Sequence, residues 1–92
     1  MIRSFRDRVT ERLWMGAFVK RLSGIEKQAR RNLDMVHNAR DLNDPRAPPA
    51  NRLEALFGDR KGQHAIRIND QWRICFIWTR EGPENVEIVD YH

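Results

Sequence analysis

Apolar positions change their spacing along the chain, and each spacing predicts a different element. Ile2-Arg3-Ser4-Phe5 alternates apolar and polar, the period of a short strand. From Asp7 the period lengthens: Val9, Leu13 and Ala17 recur every four residues with Trp14 and Phe18 beside them, which predicts an amphipathic helix weakened at its end by Gly16. Ser23-Gly24-Ile25-Glu26 has the spacing of a capping box, in which the serine hydroxyl accepts from an orphan backbone N–H and the glutamate reaches back to the cap. A second helix is expected to start there, with Ile25, Ala29, Leu33, Val36 and Ala39 as its apolar stripe and Lys27, Arg30, Arg31 and Asp34 on its polar side.

Residues 41–51 hold three of the four prolines, which fix φ and remove donors, so neither a helix nor a central strand runs through them. Beyond this connector the period is two. Residues 63–70, 72–78 and 85–92 read as three antiparallel strands, joined by turns at Asn69-Asp70-Gln71 and Arg80-Glu81-Gly82-Pro83. Their bulkier face carries His64, Ile66 and Ile68, then Trp72, Ile74, Phe76 and Trp78, then Val86, Ile88 and Asp90, and is the natural seat for the two helices. Arg67, Arg73 and Tyr91 share the opposite face. The fold class that follows is α+β, two N-terminal helices packed on a small antiparallel sheet.

At 92 residues the chain has room for one domain, expected over 1–92, and none for a cleft between two. With 33% charged and 40% hydrophobic residues it has the composition of a small folded domain. A lone cysteine, Cys75, excludes an intramolecular disulfide or a cysteine zinc site and fits a reducing cytoplasm. The N-terminal stretch is too charged for a signal peptide, and no run approaches a membrane span. Residues 1–52 carry 12 basic and 6 acidic side chains, whereas 53–92 carry 5 and 7, so the net +4 charge is concentrated in the first half. With a pI near 10.0, that asymmetry favours a polyanionic partner, because Lys and Arg release condensed counterions from phosphates. Lys20, Arg21, Lys27, Arg30 and Arg31 form the densest basic cluster, at minimum a solvated face and a candidate nucleic-acid contact. No P-loop, GxGxxG, HExxH, CxxC or GxSxG pattern occurs, so nucleotide-dependent and zinc-dependent chemistries have no support.

Asp90-Tyr91-His92 closes the last strand, with Arg73 on the neighbouring strand and Arg67 one strand further. RNA cleavage needs a base for the 2′-OH, an acid for the leaving 5′-oxygen and positive charge on the phosphorane, and carboxylate, imidazole, phenol and guanidinium meet that need without a metal or cofactor. Three polar residues at a chain end are more often only a solvated terminus. Other candidates have equally plain readings. His64 on the apolar face is a core or rim histidine, and His37 sits on a helix with no partner motif. Gly58-Asp59-Arg60-Lys61-Gly62 is first a hairpin turn, although Arg60 and Lys61 could also meet phosphate. Trp72 and Trp78 alternate with Ile74 and Phe76 as core rather than as stacking platforms, and Cys75 between Ile74 and Phe76 reads as a small buried hydrophobe.

MIRSF at the start, the segment NRLEALFGDRKG (51–62), IRINDQWRICFIW (66–78) and VEIVDYH (86–92) together resemble the HigB, or plasmid-maintenance killer, branch of the RelE toxin superfamily, over essentially the full chain. The resemblance implies two N-terminal helices packed on a small, strongly curved antiparallel sheet. It also implies a toxin of a type II toxin–antitoxin system that cleaves mRNA in the ribosomal A site and inhibits translation. The implied partners are the ribosome, mRNA and a HigA-like antitoxin with a helix-turn-helix domain, through which alone operator DNA would be bound. Carried over by motif, the catalytic residues are Asp90, Tyr91, His92 and Arg73; the strand pattern adds Arg67 as a second cation for the phosphorane and an RNA contact. Some members carry a histidine and a lysine where this chain has Glu54 and Phe57, which makes Glu54 a candidate base and leaves open a toxin that binds ribosome or rRNA with weak or no cleavage.

Overall fold

The computed structural model describes residues 1–44 and 52–90. Most of the proline-rich connector, and Tyr91 and His92 of the closing motif, lie outside the described residues. Within them the fold is α+β: helices α1 (Arg8–Trp14) and α2 (Glu26–Asn38) cover one face of a sheet made of β1 (Glu54–Ala55), β2 (His64–Arg67), β3 (Trp72–Thr79) and β4 (Gly82–Asp90). All neighbouring strands are antiparallel, in the order β1-β2-β3-β4.

Helix α1 begins where Asp7 accepts the Thr10 N–H at 3.0 Å, satisfying a donor that the first turn leaves orphaned. It ends three residues before Ala17, and Gly16 (φ 96°) turns the chain away. Phe18, expected on the apolar stripe, is therefore 66% exposed. The capping box forms only in half: Glu26 accepts from the Gly24 N–H at 2.9 Å, but Ile25 is the cap residue and Ser23 closes the preceding 3-10 turn Lys20–Leu22 instead. The α2 stripe is as expected, with Ala29, Leu33 and Val36 fully buried. Asn32 joins them, donating to the Arg67 carbonyl at 2.9 Å and accepting from Gln28 at 3.2 Å, so α2 is fastened to the end of β2.

The period-two reading is correct for the strand faces. Ile66, Ile74, Phe76, Val86 and Ile88 are buried with Leu13, Leu22, Leu33 and Val36 in the main core. The sheet has four strands rather than three, because Glu54 and Ala55 pair with Ala65 and His64. A two-residue strand carries no visible alternation. At the other edge residues 3–6 run parallel to β4, with the Arg3 N–H donating to Pro83 at 2.8 Å and the Val86 N–H donating to Ser4 at 3.0 Å. The Ile88 N–H continues that edge by donating to the buried Thr10 hydroxyl at 2.9 Å, so α1 blocks further strand addition. Gly82 is required where this ribbon crosses, since a Cβ there would lie 2.4 Å from the Met1 carbonyl oxygen. A bulge with Asn85 at φ 51° shifts the β3–β4 register between Cys75 and Ile77 and increases the local twist. His37 has a structural partner, its Nδ1 accepting the Ile2 N–H at 3.1 Å.

Candidate functional site

The sheet face turned away from the helices combines a small apolar floor with charged walls. Glu54, Ala65, Cys75 and Glu87 stand directly opposite one another across the four strands and so share that face. Ala65 and Cys75 are fully buried and, with Leu56 and Val89, form a second apolar cluster. Burial pushes the Cys75 thiol up to about 11, which suits a floor residue and not a nucleophile.

One row along, Arg67 is directly opposite Arg73, and Arg73 opposite Val89. Two cations side by side repel, and the β2–β3 turn compensates. Arg67 is paired with the exposed Asp70, and Arg73 donates to the Asn69 carbonyl and to that of Trp72. The Arg67 hydrogen bond and charge hold the Asp70 carboxyl below its ordinary range. Gln71 of the same turn donates to Asp90 at 3.2 Å. This end of the sheet therefore gathers Arg67, Arg73 and Asp90 around one turn, next to the point where β4 runs into Tyr91 and His92.

Asp90 does not share a face with the arginine pair. It is paired with Trp72, on the helix side of the sheet, and projects at the rim beyond the core. Glu54 does share their face and is exposed on the edge strand. Arg60 crosses the other half of the face: its Nη1 lies 2.7 Å from Glu87 and 3.1 Å from Gln63. Arg6 approaches the other Glu87 oxygen at 3.7 Å, and the glutamate side chain is only 10% exposed. Reading the sequence alone did not single out Glu87. Its alternation between Val86 and Ile88 put it on this face, but nothing local announced that two arginines from distant segments would cover it.

The basic cluster divides. Arg21 places its guanidinium 5.5 Å from the Trp72 ring centroid, at the same end of the sheet as the arginine pair. Lys27 and Arg31 line an open cleft of about 400 Å³ with Gly24 and Gln28, while Lys20 and Lys61 are exposed. Arg30 differs: it donates to the Leu13 carbonyl at 2.9 Å and the Ala17 carbonyl at 3.1 Å, terminating α1 from within the fold. Among the described residues no group of three or more His, Cys, Asp or Glu is placed to hold a metal ion, and no helix is long and apolar enough to cross a membrane.

This arrangement can be compared with known proteins. Residues 3–92 match the family model described as the RelE-like toxin of type II toxin–antitoxin system HigB. The chain belongs to the HigB family of RelE-like toxins. Toxin HigB-1 of Vibrio cholerae serotype O1 is 38% identical over 81 residues, covering 86% of this chain and 85% of that protein. An uncharacterised protein of Haemophilus influenzae is 39% identical over 62 residues, 67% of this chain and 59% of that one. Membership of the HigB family makes the chain a toxin of a type II system, and such a toxin has an antitoxin partner. The α+β layering expected of a RelE-like toxin is the one observed.

Proposed function

We propose that this HigB-family toxin is a ribosome-dependent endoribonuclease that cuts mRNA during translation. The observation that carries the reading is the register pair Arg67 and Arg73, two guanidinium groups on the face free of helices, steadied by the β2–β3 turn. Forked donors fixed at one place suit the pentavalent phosphorane, whose equatorial oxygens gain charge as the 2′-oxygen attacks. The 2′-OH loses a proton to a base, the P–O5′ bond breaks, and the 5′-oxygen takes a proton from an acid, leaving a 2′,3′-cyclic phosphate. Asp90 and His92 are the proposed proton-transfer pair. Glu54 is the alternative base, supported by its exposure on the arginine face. Tyr91 positions or stacks on a nucleotide.

Lys20, Arg21, Lys27, Arg31, Arg60 and Lys61 extend the positive surface that would hold mRNA or rRNA, while Arg30 supports it from inside the fold. The reading places the toxin in the cytoplasm with a HigA-like antitoxin whose own domain binds operator DNA, and it requires no metal. Primer extension on a defined mRNA, with and without programmed ribosomes, tests it. Cuts that need ribosomes, survive EDTA levels that spare the ribosome, and fall about 10²- to 10³-fold in Arg73→Ala support it. A second reading, a ribosome-binding inhibitor that does not cut, is favoured by the open basic cleft of Lys27 and Arg31 on α2. Intact mRNA in growth-arrested cells would move the conclusion there.

A further inference from the structure

Phe57 is the most exposed large hydrophobic residue described, 84% accessible, and it lies in the loop joining β1 to β2. The loop is well braced. The Leu56 N–H donates to Gln63 at 2.9 Å, the Gln63 N–H to Arg60 at 3.0 Å and the Arg60 N–H to Phe57 at 3.3 Å, closing the 3-10 turn Gly58–Arg60. Arg60 then fastens the turn to β4 through Glu87 at 2.7 Å. On one side of Phe57 is Leu56, part of the site floor; on the other is a turn bearing Arg60 and Lys61. An aromatic ring presented to solvent by this hydrogen-bonded loop gains nothing for folding, because no core surrounds it.

We propose that Phe57 is a base-stacking contact for single-stranded RNA, a subsite at the opposite end of β2 from the Arg67–Arg73 pair. β2 runs from this loop to the β2–β3 turn, so Gln63 and Arg67 are separated by about 13 Å at roughly 3.3 Å per residue, a span of a few nucleotides. RNA laid along β2 would meet guanidinium groups at one end and, at the other, an exposed aromatic ring next to the turn that carries Arg60 and Lys61, the combination that suits unstacked bases on a phosphate backbone. Glu87 serves this subsite as a positioning residue, since it holds Arg60 and with it the loop. The inference rests on RNA being the substrate and deepens that reading by assigning a place where a base, rather than a phosphate, is gripped.

The test compares Phe57→Ala, Phe57→Leu and Phe57→Trp with the wild-type toxin in binding a short single-stranded RNA and in cutting mRNA on programmed ribosomes. Alanine and leucine are expected to weaken RNA binding and raise KM about 5- to 150-fold with kcat little changed. Tryptophan should restore both and gain fluorescence quenched by RNA. Melting temperatures should be alike, because the side chain packs on no core. Wild-type binding or KM in Phe57→Leu overturns the stacking role, as does a loss confined to antitoxin binding. If the protein binds RNA through Phe57 yet cuts nothing, the subsite stands and the endoribonuclease reading fails. If it cuts and Phe57→Ala cuts equally well, the reverse holds. Neither binding nor cutting overturns both.

Discussion

On the helix side of the sheet Ile66, Ile74, Phe76, Val86 and Ile88 are buried against Leu13, Leu33 and Val36, while the same strands present Arg67, Arg73 and Glu87 on the other side over a small floor of Leu56, Ala65, Cys75 and Val89. One face removes apolar surface from water and supplies stability. The other keeps guanidinium groups near water, where an anion can reach them. Alternate residues of a single strand thus serve separate tasks, and substitutions only three positions apart on β3 should separate folding from function.

The largest expected effect is on the first face. Phe76→Ala opens a cavity in the middle of the core and should cost about 3–5 kcal/mol, a large part of the roughly 5–15 kcal/mol that holds such a domain together. Urea unfolding would show the midpoint falling steeply, and a midpoint near wild type would mean that the core is not where the fold gains its stability. Arg73→Ala should do the opposite, with ribosome-dependent cleavage down about 10²- to 10³-fold and the unfolding midpoint only modestly lowered. Asn32 connects the two faces, since it holds α2 to the backbone of Arg67. Asn32→Ala removes this part-buried hydrogen bond and should cost about 1–3 kcal/mol, lowering the midpoint and cleavage together; an unchanged cleavage rate would show that the arginine row does not depend on α2.

The smallest effect concerns the floor. Cys75 is pushed up by burial from 9.0 to about 11, so the folded state retains the thiol proton longer than the unfolded chain does. Its contribution is fully present below about pH 9 and is lost as pH rises towards 11. Unfolding midpoints of wild type and Cys75→Ala should therefore converge over that window. Iodoacetamide should label the cysteine of the folded protein slowly at pH 8, and rapid labelling would mean that the floor is open.

What the sequence made legible and what it hid follow the range of the interactions. Alternation along β2, β3 and β4 gives the faces of Ile66, Ile74, Phe76, Val86 and Ile88 correctly because the pleat is local, and it puts Arg67 and Arg73 together on the other side. The α2 stripe was equally readable from its period. Features made by distant segments were not. Arg30 reads as surface from its helical position, but it reaches the carbonyls of Leu13 and Ala17, and nothing local marks Glu87 as the partner that Arg60 reaches from the β1–β2 loop. Ser23 lost its capping role to the 3-10 turn that precedes α2. At the site, Asp90 kept its predicted alternation, and that same alternation separates it from the arginine face. Asp90 and Val89 adjoin in sequence, but neighbours on a strand face opposite ways, and Val89 is the one opposite Arg73.

The most direct test of the division between the faces is to measure cleavage and unfolding together on the Arg67→Ala/Arg73→Ala double variant. The expected result is a folded protein with a cooperative transition close to that of wild type and no ribosome-dependent cuts by primer extension. Cuts at the wild-type rate, or a loss of cutting that tracks loss of the folded state, would contradict the assignment of the arginine row to chemistry.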